Sequence, residues 1–219
     1  MKKFFMNTPL QGLNPKTGES FLQKFHYTAN GNSRLVYDEK TRFPIIHAIN
    51  GYVQPGEPFR VITVSQENNP DTDRNYGFLV DELKALCERR GFLYPACGVE
   101  QVFSPLKQDV FSQLDAFTAL LDYFEDDDDL FACVTYGTKM APITLLTALQ
   151  YANRLKESVI IQCIVYGDVD RRTVPNVSAV YDVTALIQMD EITRFLANRG
   201  IEHPAAHIRK ELLLRLQIH

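Results

Sequence analysis

Three apolar runs constrain this chain more than anything else in it: FRVITVS (59–65), LFACVTY (130–136) and SVIIQCIVYG (158–167). Each is short, rich in β-branched or aromatic residues, and continuous rather than alternating. A strand of that kind needs apolar cover on both faces, which parallel sheets obtain from the helices connecting their strands. The connecting segments have the matching period. Tyr76, Leu79, Val80, Leu83, Leu86 and Cys87 share one helical stripe, closed by Glu88-Arg89-Arg90-Gly91, whose cations and glycine suit a helix C-terminus. Val110, Phe111, Leu114, Phe117, Leu121 and Phe124 mark a second helix. Ile143, Leu146, Leu149, Ala152 and Leu155 mark a third, from about Met140 to Lys156, with Pro142 in its first turn. Thr184 to Arg199 reads as a fourth, ended by Gly200.

Around this frame, KKFFM (2–6) predicts a first strand ended by Asn7-Thr8-Pro9, and VSAVYDV (177–183) a weaker strand suited to antiparallel pairing with 158–167. Residues 25–37 alternate around Asn30-Gly31, a dipeptide that supplies the positive φ of a tight hairpin. Thr41 to Gly51 predicts a short helix capped by Thr41 and stopped by Gly51. The expected fold is α/β: a mostly parallel sheet with helices on both faces, plus a β-hairpin insertion near the N-terminus. A length of 219 residues suits one domain over 1–200. Residues 201–219 then form a C-terminal helix, Pro204 to Gln217, belonging to that domain or to a dimer contact.

Several function classes are disfavoured. A net charge of −4 argues against duplex nucleic acid, which demands clustered Lys and Arg. Cys87, Cys97, Cys133 and Cys163 form no C-x-x-C pair, so they read as reduced thiols rather than metal ligands. The N-terminal apolar stretch is too short for a secretory leader, and no run reaches the length of a membrane span, so a cytoplasmic location is expected. His203 and His207 flank Pro204 with no acidic ligand spaced to complete a metal site. No Ser or Cys stands at a strand-to-helix elbow beside His26 or His47. The acidic run Glu125–Asp129 reads as a solvated turn.

In open α/β sheets, ligands gather outside the carboxyl ends of strands where strand order reverses. That rule selects the loops 7–12, 65–76 and 136–141. In the last, a buried strand runs through Gly137 into a helix. The glycine permits close approach of a ligand, the helix start presents unpaired N–H groups, and Thr138 and Lys139 add a hydroxyl and a cation. The spacing is not that of a P-loop. The loop after 59–65 carries Ser65, Gln66, Glu67 and Arg74 among groups that hydrogen-bond bases and ribose.

The order of these features, namely MKKFFMNTPLQG, the YTANGNSRLVY segment, Arg42-Phe43-Pro44, RVITVS, FACVTYGTKMAPITLLTALQYA and YDVTALIQMDEITRFLANRG, resembles the CRISPR-associated Rossmann-fold (CARF) proteins. These sense cyclic oligoadenylate second messengers. The resemblance covers most of residues 1–200 and implies a Rossmann-like homodimer with the ligand on its two-fold axis, and no cofactor. Carried onto this chain, Gly137, Thr138 and Lys139 hold the sugar-phosphate ring, and Thr8, Gln11, Ser65, Gln66 and Glu67 line the adenine and ribose pockets, with Arg74 beside them. The segment HPAAHIRKELLLRLQIH lacks the R-x-x-x-x-H spacing of the ribonucleases often fused to such sensors, which implies a stand-alone sensor in antiviral defence. Three readings stay open: a cyclic oligoadenylate sensor; a metal-independent ring nuclease using Lys139 and Thr138; or a structural, partner-binding domain without a nucleotide ligand.

Overall fold

A computed structural model describes residues 1–105, 107–173 and 176–201, together with 205, 207 and 208. The predicted helix Pro204–Gln217 and the His203/His207 spacing fall largely outside the described residues. Within them the chain is a Rossmann-like α/β fold. Its strands are β1 (Lys2–Asn7), β2 (Thr28–Asn30), β3 (Phe59–Gln66), β4 (Val99–Ser104), β5 (Asp129–Cys133), β6 (Ile160–Asp170) and β7 (Val177–Asp182). They form one sheet in the order β2-β7-β6-β5-β1-β3-β4. β1, β3, β4, β5 and β6 are mutually parallel, whereas β7 pairs antiparallel with β6, as its sequence predicts.

Helices cover both faces. α1 (Ile45–Tyr52) and α2 (Pro70–Arg90) share a core with Phe4, Met6, Val61 and Phe131. α3 (Val110–Leu121) and α4 (Ala141–Leu155) share another with Phe5, Ile62, Val102 and Ala132, while α5 (Thr184–Asn198) sends Ile187 against the same side. The alternation of Phe4 and Phe5 between the two cores follows from the two-residue period of a strand. Phe4 stacks on Phe131 of the neighbouring strand, their ring centroids 4.5 Å apart.

Several sequence expectations are corrected. The hairpin at Asn30-Gly31 is not formed: Thr28–Asn30 pairs in parallel with β7, and the chain enters a 3-10 turn at Ser33–Leu35. The cause is Asn32. Its amide nitrogen donates to Asp182 (2.7 Å) and the Tyr52 hydroxyl (2.9 Å), and its oxygen accepts from the Arg34 N–H (3.0 Å), drawing the chain under α1. Gly51 does not stop α1 but lies within it, where a Cβ would stand 2.0 Å from the Arg34 carbonyl oxygen. Nor does Thr41 cap that helix; its hydroxyl donates to Glu82 at 2.6 Å. The polar segment expected as a loop after β3 is instead the start of α2, because Asn69 accepts from the Asp71 and Thr72 N–H groups and Pro70 fits the first turn. β4 went unpredicted, since an edge strand reading VEQVFS has no continuous apolar run.

The acidic run is not a solvated turn throughout. Asp128 is 1 % exposed and pairs with the fully buried Lys3 at 2.7 Å; Glu125 reaches the same ammonium at 2.6 Å, and the Tyr123 carbonyl accepts from it at 2.9 Å. Cys87, Cys133 and Cys163 are buried and free, and Cys97 is exposed and free. Among the described residues no helix is long and apolar enough to cross a membrane, and no cluster of His, Cys, Asp or Glu could hold a metal ion.

Candidate functional site

The strand order places β1 between β3 and β5: β1, β3 and β4 succeed one another toward one edge, β5, β6 and β7 toward the other, and β2 alone crosses to that second edge between β1 and β3. This is the reversal at which the loops of an open α/β sheet part and leave a crevice. A cleft open to solvent lies there, bounded by Asn7 and Thr8 at the end of β1, Val64 to Gln66 of β3, Ser104 and Pro105 at the end of β4, and Gly137, Thr138 and Ala141 at the entry to α4. A narrow hollow continues from it between α3 and α4, walled by Ala116, Leu120 and Leu145.

Gly137 holds the turn that forms one wall. Its φ of 102° lies in the region that favours glycine, and a Cβ there would come within 2.9 Å of the Ala141 Cβ and 3.0 Å of the Asn7 Cβ. Just before it, the Tyr136 hydroxyl donates to the Arg42 carbonyl, and burial pushes that phenol well above its ordinary pKa, so it stays a donor. Cys133, at the end of β5, donates to the Thr135 hydroxyl (3.2 Å) and is likewise held protonated by burial. It is no nucleophile.

The sequence-selected residues separate into three groups. Thr8, Ser65, Gln66, Gly137 and Thr138 do meet at the cleft. The hydroxyls of Thr8 and Ser65, however, belong to a buried chain: Thr63 to Thr8 at 2.6 Å, Thr8 to Ser65 at 2.8 Å, and Gln101 donating to Ser65 at 2.9 Å. Gln66 accepts from Asn69 at 2.8 Å. Gln11 and Arg74 stand behind the wall, where Arg74 donates to the Gln11 carbonyl (2.9 Å) and pairs with Asp71 (2.7 Å). Asn75, fully buried, donates to the Pro9 and Gln11 carbonyls at 2.9 and 3.0 Å, so the first turns of α2 clamp the loop after β1. Glu67 and Lys139 are exposed and do not line the cleft, and Lys139 makes no ion pair among the described residues.

Asn7 is the residue that sequence reasoning missed. It is 2 % exposed, it borders both the cleft and the hollow, and neither its amide nitrogen nor its amide oxygen has a hydrogen-bond partner. The signal was a polar side chain closing the apolar run Phe4-Phe5-Met6 of a central strand. None of the described residues lining the cleft carries a charge; its polar groups are the carboxamides of Asn7, Gln66, Gln108 and Gln113 and the hydroxyls of Thr8, Ser65, Ser104 and Thr138. Such a surface can hydrogen-bond base edges and ribose. The start of α4 offers an anion less than its sequence predicts: the Ala141 N–H is bonded to the Thr138 carbonyl (3.1 Å), Pro142 has no N–H, and the Thr144 N–H is bonded to the Met140 carbonyl (3.0 Å). No family model matches the chain, and no curated protein matches it in sequence.

Proposed function

We propose that the chain is a cytoplasmic sensor that binds a cyclic oligoadenylate in the cleft between the loops after β1 and β5, acting as a homodimer with the ligand on its two-fold axis. One observation carries the reading: a buried carboxamide, Asn7, with both polar atoms unpaired, at the floor of a cleft formed where the strand order reverses. An unpaired buried polar group costs about 1–3 kcal/mol, which a ligand with matching groups recovers. The uncharged lining supports binding over hydrolysis, because it brings no acid or base to the floor of the site. Beside the cleft, the first turns of α3 and α4 expose Val110, Phe111, Leu114, Met140 and Ile143, with Phe111 79 % exposed. An apolar rim of that size suits an interface with a second copy. The resemblance to CARF proteins points the same way.

The test is thermal denaturation with cyclic tri-, tetra- and hexa-adenylate, against linear oligoadenylate and ATP. A ligand at 100 times its Kd adds about 2.7 kcal/mol to the folded state. A rise in Tm with one ring size is the expected result, and no rise with any ring overturns the reading. Recovering that ring as a linear product, with turnover lost in Lys139→Ala, would convert the sensor into a ring nuclease.

A further inference from the structure

Eight side-chain atoms among the described residues are buried without a hydrogen-bond partner, and of the residues that own them only Asn7 borders the cleft. No neighbour hydrogen-bonds to it. Gly137 presses on it with backbone alone, Ala141 offers a methyl group, and Val64 of the adjoining strand is apolar. Thr8 and Ser65 are engaged with each other, and the Gln113 amide oxygen accepts from Thr144 at 2.8 Å. Asn7 therefore holds one unpaired donor and one unpaired acceptor side by side, both buried at the border of the cleft, and no hydrogen bond fixes which way round they point.

That pair has a defined complement. On its N6/N7 edge adenine offers an amine donor beside an acceptor nitrogen, and an asparagine carboxamide meets both at once. Guanine and hypoxanthine offer two acceptors on the same edge, which neither orientation of the amide can match. On the opposite, N1 edge, a freely turning amide would accept adenine and hypoxanthine alike and select nothing. We propose that Asn7 is the base-selecting residue of the cleft, and that it reads adenine through N6 and N7. This rests on the ligand reading above and adds to it the residue and the edge that choose the base.

The experiment measures affinity for three probes: the cyclic adenylate that raises Tm most, the same ring with 7-deaza-adenine, and the same ring with inosine. AMP and IMP at millimolar concentration run in parallel. The proteins are the native chain and Asn7→Leu, which has similar volume and no polar atoms. The native chain is expected to bind both altered rings about tenfold more weakly or worse. In Asn7→Leu the three rings should agree within about twofold, while its Tm stays at or above the native value because an unpaired buried amide has been removed. Discrimination that survives in Asn7→Leu, or equal native affinity for the three rings, overturns the assignment while leaving ring binding intact. Asn7-dependent preference for AMP over IMP without ring binding keeps the assignment and overturns the cyclic ligand. Binding of none of these probes overturns both. A loss of all binding by Asn7→Leu with a lowered Tm marks a structural role and also overturns it.

Discussion

His47 is fully buried in α1, its Nδ1 bonded to the Leu35 carbonyl at 2.7 Å and its ring meeting Tyr27 and Tyr37 edge-on. Burial lowers its pKa to about 4, the Leu35 bond offsetting only part of the effect. The unfolded chain, titrating near 6.5, takes up a proton that the folded chain refuses. Stability is therefore highest above pH 6.5 and falls as pH drops toward 4, by at most about 1.4 kcal/mol per pH unit. Between pH 7 and 5 the native chain should lose about 2 kcal/mol more than His47→Asn in urea titrations, since asparagine can keep a bond to Leu35 and does not titrate. The Lys3–Asp128 pair makes a second prediction. Asp128→Ala leaves an ammonium with no exposure beside one carboxylate and one carbonyl, and should cost about 3 kcal/mol. The double variant Lys3→Met/Asp128→Leu should recover most of that loss, because it removes the uncompensated charge; equal destabilisation of both variants would show that packing, not charge, matters there.

At the level of elements, the turn into α4 and the clamp on the loop after β1 decide the shape of the cleft. Gly137→Ala places a Cβ in contact with Asn7 and Ala141 at a φ of 102°, and should lower stability by about 1–3 kcal/mol in denaturant titrations and weaken ligand binding with it. Asn75→Ala removes the side-chain donor to the Pro9 carbonyl and leaves the Gln11 carbonyl with Arg74 alone, and should speed amide exchange selectively at residues 8–12. Gly137 was legible in the sequence because a glycine between an apolar run and a helical stripe has few other uses. The clamp was not, since Arg74 and Asn75 look like any polar pair until α2 brings them against Pro9 and Gln11. The same holds for Asn32: Asn-Gly-Asn reads locally as a hairpin turn, and only Asp182, far along the chain, redirects it. Buried parallel strands announce themselves by composition. The edge strands β2 and β4, with only one hydrogen-bonded neighbour each, do not.

For the whole molecule, the proposed dimer places the exposed rim of α3 and α4 between two copies. Phe111→Lys, a change at a residue 79 % exposed, should leave the melting temperature of the isolated fold near the native value while converting a dimer to a monomer in light scattering. A native protein that is already monomeric in the presence of ligand would remove the two-fold arrangement. The position of β1 has a consequence for how the molecule is made. Phe4 pairs with Val61 on one side and with Phe131 on the other. On the ribosome, one edge of this strand can close once Val61 has emerged, but the other must wait for Phe131. Until then the most enclosed strand of the finished sheet is an open apolar template, a natural target for a chaperone, and the cleft it will floor has only one of its two sides.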